Sequence, residues 1–105
     1  MPFRDLDPEE VQQALQDEPE LKLLDVRTQY EHDKYHLPDS TLIPIQEIQE
    51  RSGELDAKEH WLVYCEHGRR SVMVCEFLAQ LGFEKLTNLR GGMAHWIGKG
   101  LPTES

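Results

Sequence analysis

Cys65-Glu66-His67-Gly68-Arg69-Arg70-Ser71 gathers a nucleophile, a glycine and two permanent cations within seven residues. A cysteine thiolate is a strong nucleophile. Gly68 can adopt positive φ without steric cost, so the backbone after Cys65 can curl tightly. Successive backbone N–H groups then converge on the concave side as an anion nest. A helix that opens near Arg70 adds its positive end to the same place. In such a ring of main-chain donors the thiolate is favoured over the thiol. Arg69 and Arg70 can offset the charge of an anionic donor, since guanidinium groups suit oxyanions bidentately. A lone cysteine is more often structural than catalytic; the glycine and the flanking arginines reverse that expectation for Cys65.

Such a loop needs a rigid strand before it and a helix after it. Trp61-Leu62-Val63-Tyr64 is apolar at every position, as a strand covered on both faces would be. From Arg70 to Leu81, the residues Val72, Met73, Val74, Cys75, Phe77, Leu78, Ala79 and Leu81 nearly encircle a helix. That pattern predicts a largely buried helix, with Gly82 as its stop. Cys75 falls on this helix and is expected to be a small core residue.

Elsewhere, Asp7-Pro8-Glu9-Glu10 reads as a helix start: a capping side chain, a proline in the first turn and acids at the positive end. Val11, Ala14 and Leu15 continue it, and Pro19 ends it. Leu21 to Val26 reads as a buried strand, Thr28 to Lys34 as a polar helix, and Thr41 to Pro44 as a short strand cut off by proline. A weak helix follows at Gln46 to Arg51; Leu86 to Leu89 is a last strand and Met93 to Lys99 a last helix. The ends read as short tails. Strands alternating with helices imply an α/β fold, a parallel sheet of about five strands flanked by helices on both faces. One domain over residues 1–105 is expected. In such folds ligands gather beyond the carboxyl ends of the strands, where Cys65 lies.

Composition narrows the function classes. Twenty acids against 11 bases give a net charge of −9, which argues against nucleic-acid or anionic-membrane binding. The longest apolar run, Trp61 to Cys65, is far short of the roughly 20 residues that span a bilayer. The first residues lack the apolar core of a secretory signal, so a cytoplasmic location is expected. Two cysteines are too few for a disulfide scaffold. His32, His36, His60, His67 and His95 show no close metal-ligand spacing with them, and no metal is expected.

The loop Cys65 to Ser71 resembles the active loop of rhodanese-like sulfurtransferases, Cys-x-x-Gly-x followed commonly by Arg-Ser. Leu24-Asp25-Val26-Arg27 is similar to that family's strand-end Asp-x-Arg signature. Glu31 with His36-Leu37-Pro38 resembles its Glu … His-Ile-Pro segment. Leu81-Gly82-Phe83, Leu89-Arg90-Gly91-Gly92 and Trp96 resemble its closing block. The resemblance runs from about residue 5 to residue 98. It implies that Cys65 carries a sulfur as a persulfide, taken from a small anionic donor such as thiosulfate and passed to cyanide or a thiol. The acceptor can also be a sulfur-carrying protein. No cofactor is implied, and a monomer is expected.

Further roles follow from the same resemblance. Glu66, His67, Gly68, Arg69 and Arg70 are the candidate substrate-binding residues, and Asp25, Arg27 and Ser71 support the loop. Arg70 is expected to turn inward onto Asp25 and brace the loop, with donor contact as the alternative. Arg69 is then the contact for the donor, while His67 either donates a hydrogen bond or faces solvent, the second being slightly favoured. Arg27 is expected to bridge to Glu31. Glu66 departs from members that place basic side chains in this loop. A carboxylate there repels a dianion and opposes thiolate formation, which counts against thiosulfate as the physiological donor but not against sulfur transfer; a persulfide on another protein is the alternative donor.

Two rival readings belong to other classes. A cysteine-dependent phosphatase or arsenate reductase uses the same thiolate and cradle, but generally in a Cys-x5-Arg loop one residue longer than Cys65 to Arg70. A persulfide carrier or regulatory module serving one protein partner shares the chemistry at Cys65, without turnover of small thiols.

Overall fold

The computed structural model describes residues 1–105. Five parallel strands form one sheet: β1 (Arg4–Leu6), β2 (Lys22–Asp25), β3 (Thr41–Leu42), β4 (Trp61–Tyr64) and β5 (Leu86–Leu89), in the order β1-β5-β4-β2-β3. The helices are α1 (Pro8–Asp17), α2 (Gln29–Lys34), α3 (Ile48–Arg51), α4 (Arg69–Gln80) and α5 (Gly92–Gly98). The α/β fold with a parallel five-stranded sheet agrees with the expectation from sequence.

β4 sits at the centre, between β5 and β2, and its side chains alternate between two cores. Trp61, Val63 and then Cys65 face a core that includes Val74, Cys75 and Leu78 of α4 and Ile48 of α3. Leu62 and Tyr64 face the other, with Val11 and Ala14 of α1 and Met93 and Trp96 of α5. Period-two alternation thus delivers Cys65 to the α4 face at the carboxyl edge of the sheet.

Local chemistry sets the helix starts. Asp7 and Glu10 form a reciprocal capping box at α1, and Thr28 with Glu31 forms another at α2. These boxes place Asp7 and Thr28 just outside the helices, as the residue types require.

Two expectations change. The amino-terminal tail is partly a strand: β1 pairs with β5 in register Arg4 to Thr87, Asp5 to Asn88 and Leu6 to Leu89. Three residues with one apolar side chain carry no periodicity, so only the pairing reveals them. Nor is α4 buried all round. It buries Ser71, Val74, Cys75 and Leu78, while Met73 is 61% exposed and Leu81, just past the helix end, is 50% exposed. One sheet face and the short α3 cannot cover the full circumference of a helix, so the outer apolar stripe stays at the surface. No helix is long and apolar enough to cross a membrane.

Candidate active site

The chain leaves β4 at Tyr64 and turns back through Gly68 into α4. Gly68 has φ +94°, a conformation that disfavours any residue with a Cβ, and stands at the cap of α4. The turn brings two amides onto the sulfur: Gly68 N–H donates to Cys65 Sγ at 3.0 Å and Ser71 N–H at 3.3 Å. Cys65 is 1% exposed, so these bonds form away from bulk water. The Ser71 hydroxyl lies 3.3 Å from the same sulfur.

Neighbouring elements pin the loop's backbone. Met93 N–H donates to the Cys65 carbonyl and Ala94 N–H to the Glu66 carbonyl, both at 2.9 Å. Gly92 makes this approach feasible. A Cβ there would lie 2.5 Å from the Cys65 oxygen and from the Glu66 carbonyl carbon and oxygen.

The side chains around the loop form two ion-pair sets. Arg27 is fully buried; Nε and Nη2 grip the Asp25 carboxylate, Nη2 also reaches the Tyr35 carbonyl at 2.7 Å, and Nη1 meets Glu66 Oε1 at 3.1 Å. Burial pulls the Arg27 guanidinium down, but the bonds and charge of Asp25 more than offset it and hold it above its ordinary value. Asp25 Oδ2 also faces His32 Nδ1 at 2.9 Å, and His32 stacks on His36 with ring centroids 4.0 Å apart. In the second set, Arg70 Nη1 and Nη2 meet Glu31 Oε1 and Oε2, each at 2.9 Å. Arg70's bonds hold the Glu31 carboxyl at about 2, against a smaller opposing effect of burial.

The expected pairings are therefore exchanged. Arg70 does not reach Asp25; Arg27, two residues further along the same strand end, occupies that carboxylate from a fully buried position. Arg27 in turn does not bridge to Glu31, which Arg70 has taken. Glu66 is not a free repelling charge, because Arg27 and the Tyr35 hydroxyl, at 2.8 Å from Oε2, both bind it. Arg69 and His67 are exposed, and Arg69 forms no ion pair.

Asn88, Asp5 and Tyr35 join the site without having been expected there. Ser71 Oγ donates to Asn88 Oδ1 at 2.6 Å, and Asn88 Nδ2 to Asp5 Oδ1 at 2.9 Å. One signal was available: an asparagine inside the buried strand Leu86-Thr87-Asn88-Leu89 needs a polar partner. Cys75 is a core residue, its thiol pushed up to about 12 chiefly by burial. No group of three or more His, Cys, Asp or Glu side chains is placed to hold a metal ion.

A cleft of about 220 Å³ beside the loop is lined by Arg27, Tyr30, Glu31, Lys34, Tyr35 and Glu66. A larger one, about 710 Å³, lies at the amino-terminal end of β2 around Leu21, Lys22 and Glu59, at the edge of the sheet opposite Cys65.

Comparison with known proteins places this geometry. The family model described as Rhodanese-like domain matches residues 7–99. A protein of Allochromatium vinosum named Sulfurtransferase is 35% identical over 93% of this chain and 92% of its own length. The putative sulfur carrier protein YrkF of Bacillus subtilis is 35% identical over 87% of this chain, which spans only 49% of that relative. The crystal structure of a rhodanese-related protein from Thermoplasma volcanium superposes with a TM-score of 0.88 at 31% identity, covering 96% of this chain and 97% of that one.

Proposed function

Since the chain belongs to the rhodanese-like domain family, whose matched relatives include a sulfurtransferase, we propose that it moves a sulfane sulfur through a persulfide on Cys65. The observation that carries this reading is the pair of amides, from Gly68 and Ser71, directed at Cys65 Sγ. Backbone donors of this kind stabilise negative charge on sulfur, and they are already in place before any donor arrives.

In the proposed cycle, the Cys65 thiolate attacks the outer sulfur of a donor such as thiosulfate. A new S–S bond forms as the donor's own S–S bond breaks, and sulfite departs with that electron pair. A thiophile then attacks the outer sulfur of the persulfide. Cyanide gives thiocyanate, a thiolate gives a new persulfide, and the Cys65 thiolate is restored. Arg69, exposed and unpaired, is the cation that meets an anionic donor at the mouth of the loop. Arg70 acts as a brace through Glu31, and Arg27, anchored on Asp25 at the end of β2, holds the loop through Glu66. The pairing of Glu66 with Arg27 removes much of the objection to a dianionic donor. The cycle calls on no metal or organic cofactor.

One observation favours a second reading, a persulfide carrier serving a single protein. Cys65 at 1% exposure is poorly placed for chance encounter with small thiols, whereas a docked partner could part the loop. Intact-mass spectrometry after thiosulfate treatment tests the main reading. A gain of about one sulfur atom, absent after Cys65→Ser, is expected. If thiosulfate adds nothing while a persulfidated protein does, the carrier reading replaces it. If neither adds sulfur to Cys65, both readings fall.

A further inference from the structure

A chain of hydrogen bonds leads from the sulfur to the edge strand β1: Cys65 Sγ to Ser71 Oγ, Ser71 to Asn88, and Asn88 to Asp5. Ser71 is fully buried and Asn88 is 2% exposed, so solvent offers these groups no alternative partners. The far end sets the direction of every bond. An ionised carboxylate only accepts, so Asn88 must turn its NH2 group to Asp5 and its carbonyl to Ser71. That carbonyl also only accepts, so Ser71 must direct its single hydroxyl proton at Asn88, and the 2.6 Å distance agrees. What Ser71 then presents to Cys65, at 3.3 Å, is a lone pair.

A lone pair suits an S–H donor and opposes a thiolate. The amides of Gly68 and Ser71 do the reverse. We infer that Asp5 and Asn88 are positioning residues that hold the Ser71 hydroxyl as an acceptor toward Cys65, restraining the ionisation that the loop amides promote. The chain is an orienting device and not a proton wire. Passing a proton through Asn88 would require its amide to become an imidic acid. When Cys65 ionises, Ser71 either keeps its lone pair on the thiolate or turns its hydrogen to the sulfur, leaving Asn88 Oδ1 without a donor.

The inference draws its interest from the reading of Cys65 as the sulfur-carrying atom, but its test needs no sulfur donor, so the two can fail separately. Thiolate formation is followed by ultraviolet absorbance against pH, with the signal of Cys65→Ser subtracted. Asn88→Ala frees the Ser71 hydroxyl to donate to the sulfur. The midpoint should move down by about one pH unit, the size of a hydroxyl hydrogen bond gained by the charged form alone. In a Ser71→Ala background the same substitution should leave the midpoint where it was. A shift of equal size in both backgrounds, no shift, or an upward shift would overturn the inference. Should Asn88→Ala fail to fold, Asp5→Asn supplies the test. Arg90 Nε, now 3.0 Å from Asp5 Oδ2, would take the new amide's oxygen, so its NH2 would face Asn88 and flip it. Loss of the Asp5 charge lowers the midpoint in either background. Only the larger fall where Ser71 is intact supports the inference, and equal falls refute it.

Discussion

Arg70 meets Glu31 through two bonds of 2.9 Å, tying the first turn of α4 to α2 and so fixing the far end of the sulfur loop. The pair is partly exposed, at 30% and 26% for the two side chains. Its loss should therefore cost about 1 kcal/mol of stability or less. Its effect on activity should be larger, because small displacements of a reacting atom are expensive. Arg70→Ala is expected to slow persulfide formation roughly tenfold with every donor, charged or neutral. Arg70→Lys should recover little, since an ammonium cannot reproduce the fork. Glu31→Gln should act like Arg70→Ala. If Arg70→Ala instead raises only the KM for anionic donors and Glu31→Gln is silent, Arg70 binds the donor directly.

Gly92 offers a sharper structural test. An added Cβ would lie 2.5 Å from the carbonyl groups of Cys65 and Glu66, and the backbone there has φ +65°. Neither obstacle is a flexible side-chain end, so the loop or α5 must shift. Gly92→Ala should destabilise the protein by about 3 kcal/mol or more, combining overpacking with left-handed backbone strain. Gly53→Ala, with nothing within 4 Å of its Cβ, should stay within about 0.5 kcal/mol. Urea denaturation of the two variants makes the comparison; similar losses would contradict the close approach of α5 to the loop.

Much of this was legible in the chain itself. The apolar run Trp61 to Tyr64, the glycine three residues after Cys65 and the capping residue Asp7 each follow local rules, and the structure keeps them. Pairings between segments were less accessible. Arg27 and Arg70 carry the same charge near three carboxylates, Asp25, Glu31 and Glu66. Which arginine takes which depends on the path of α2 and on which guanidinium is buried, and neither is a local property. β1 was hidden for a similar reason, since three residues become a strand only because β5 offers them an edge. The exposed Met73 and Leu81 mark the opposite error, because periodicity reports what a helix can bury and not whether a neighbour exists to cover it.

Asp25 and Arg27 are both fully buried, and the guanidinium makes contacts to Asp25, Glu66 and the Tyr35 carbonyl. Removing one partner of such a pair leaves an uncompensated charge in the interior. Asp25→Ala should cost about 3–5 kcal/mol, a large part of a small domain's total stability. Chemical denaturation should show an early midpoint, and circular dichroism should show whether any folded protein remains. A loss below about 1 kcal/mol would mean that Glu66 and the Tyr35 carbonyl alone satisfy Arg27.

Glu31 gives the protein a definite acid response. Arg70's hydrogen bonds, aided by the Thr28 backbone and hydroxyl, lower the Glu31 carboxyl from its ordinary 4.5 to about 2. A depressed folded value means that the unfolded chain binds the proton more readily. Stability from this group is therefore complete above about 4.5 and is lost as pH falls toward about 2. Arg70→Ala removes the principal cause of the depression. The difference in Tm between wild type and Arg70→Ala should be largest above about pH 5 and should shrink steadily below it, nearly closing near pH 2. A difference that stays constant across this window would show that the Glu31 carboxylate is not held by Arg70 in solution.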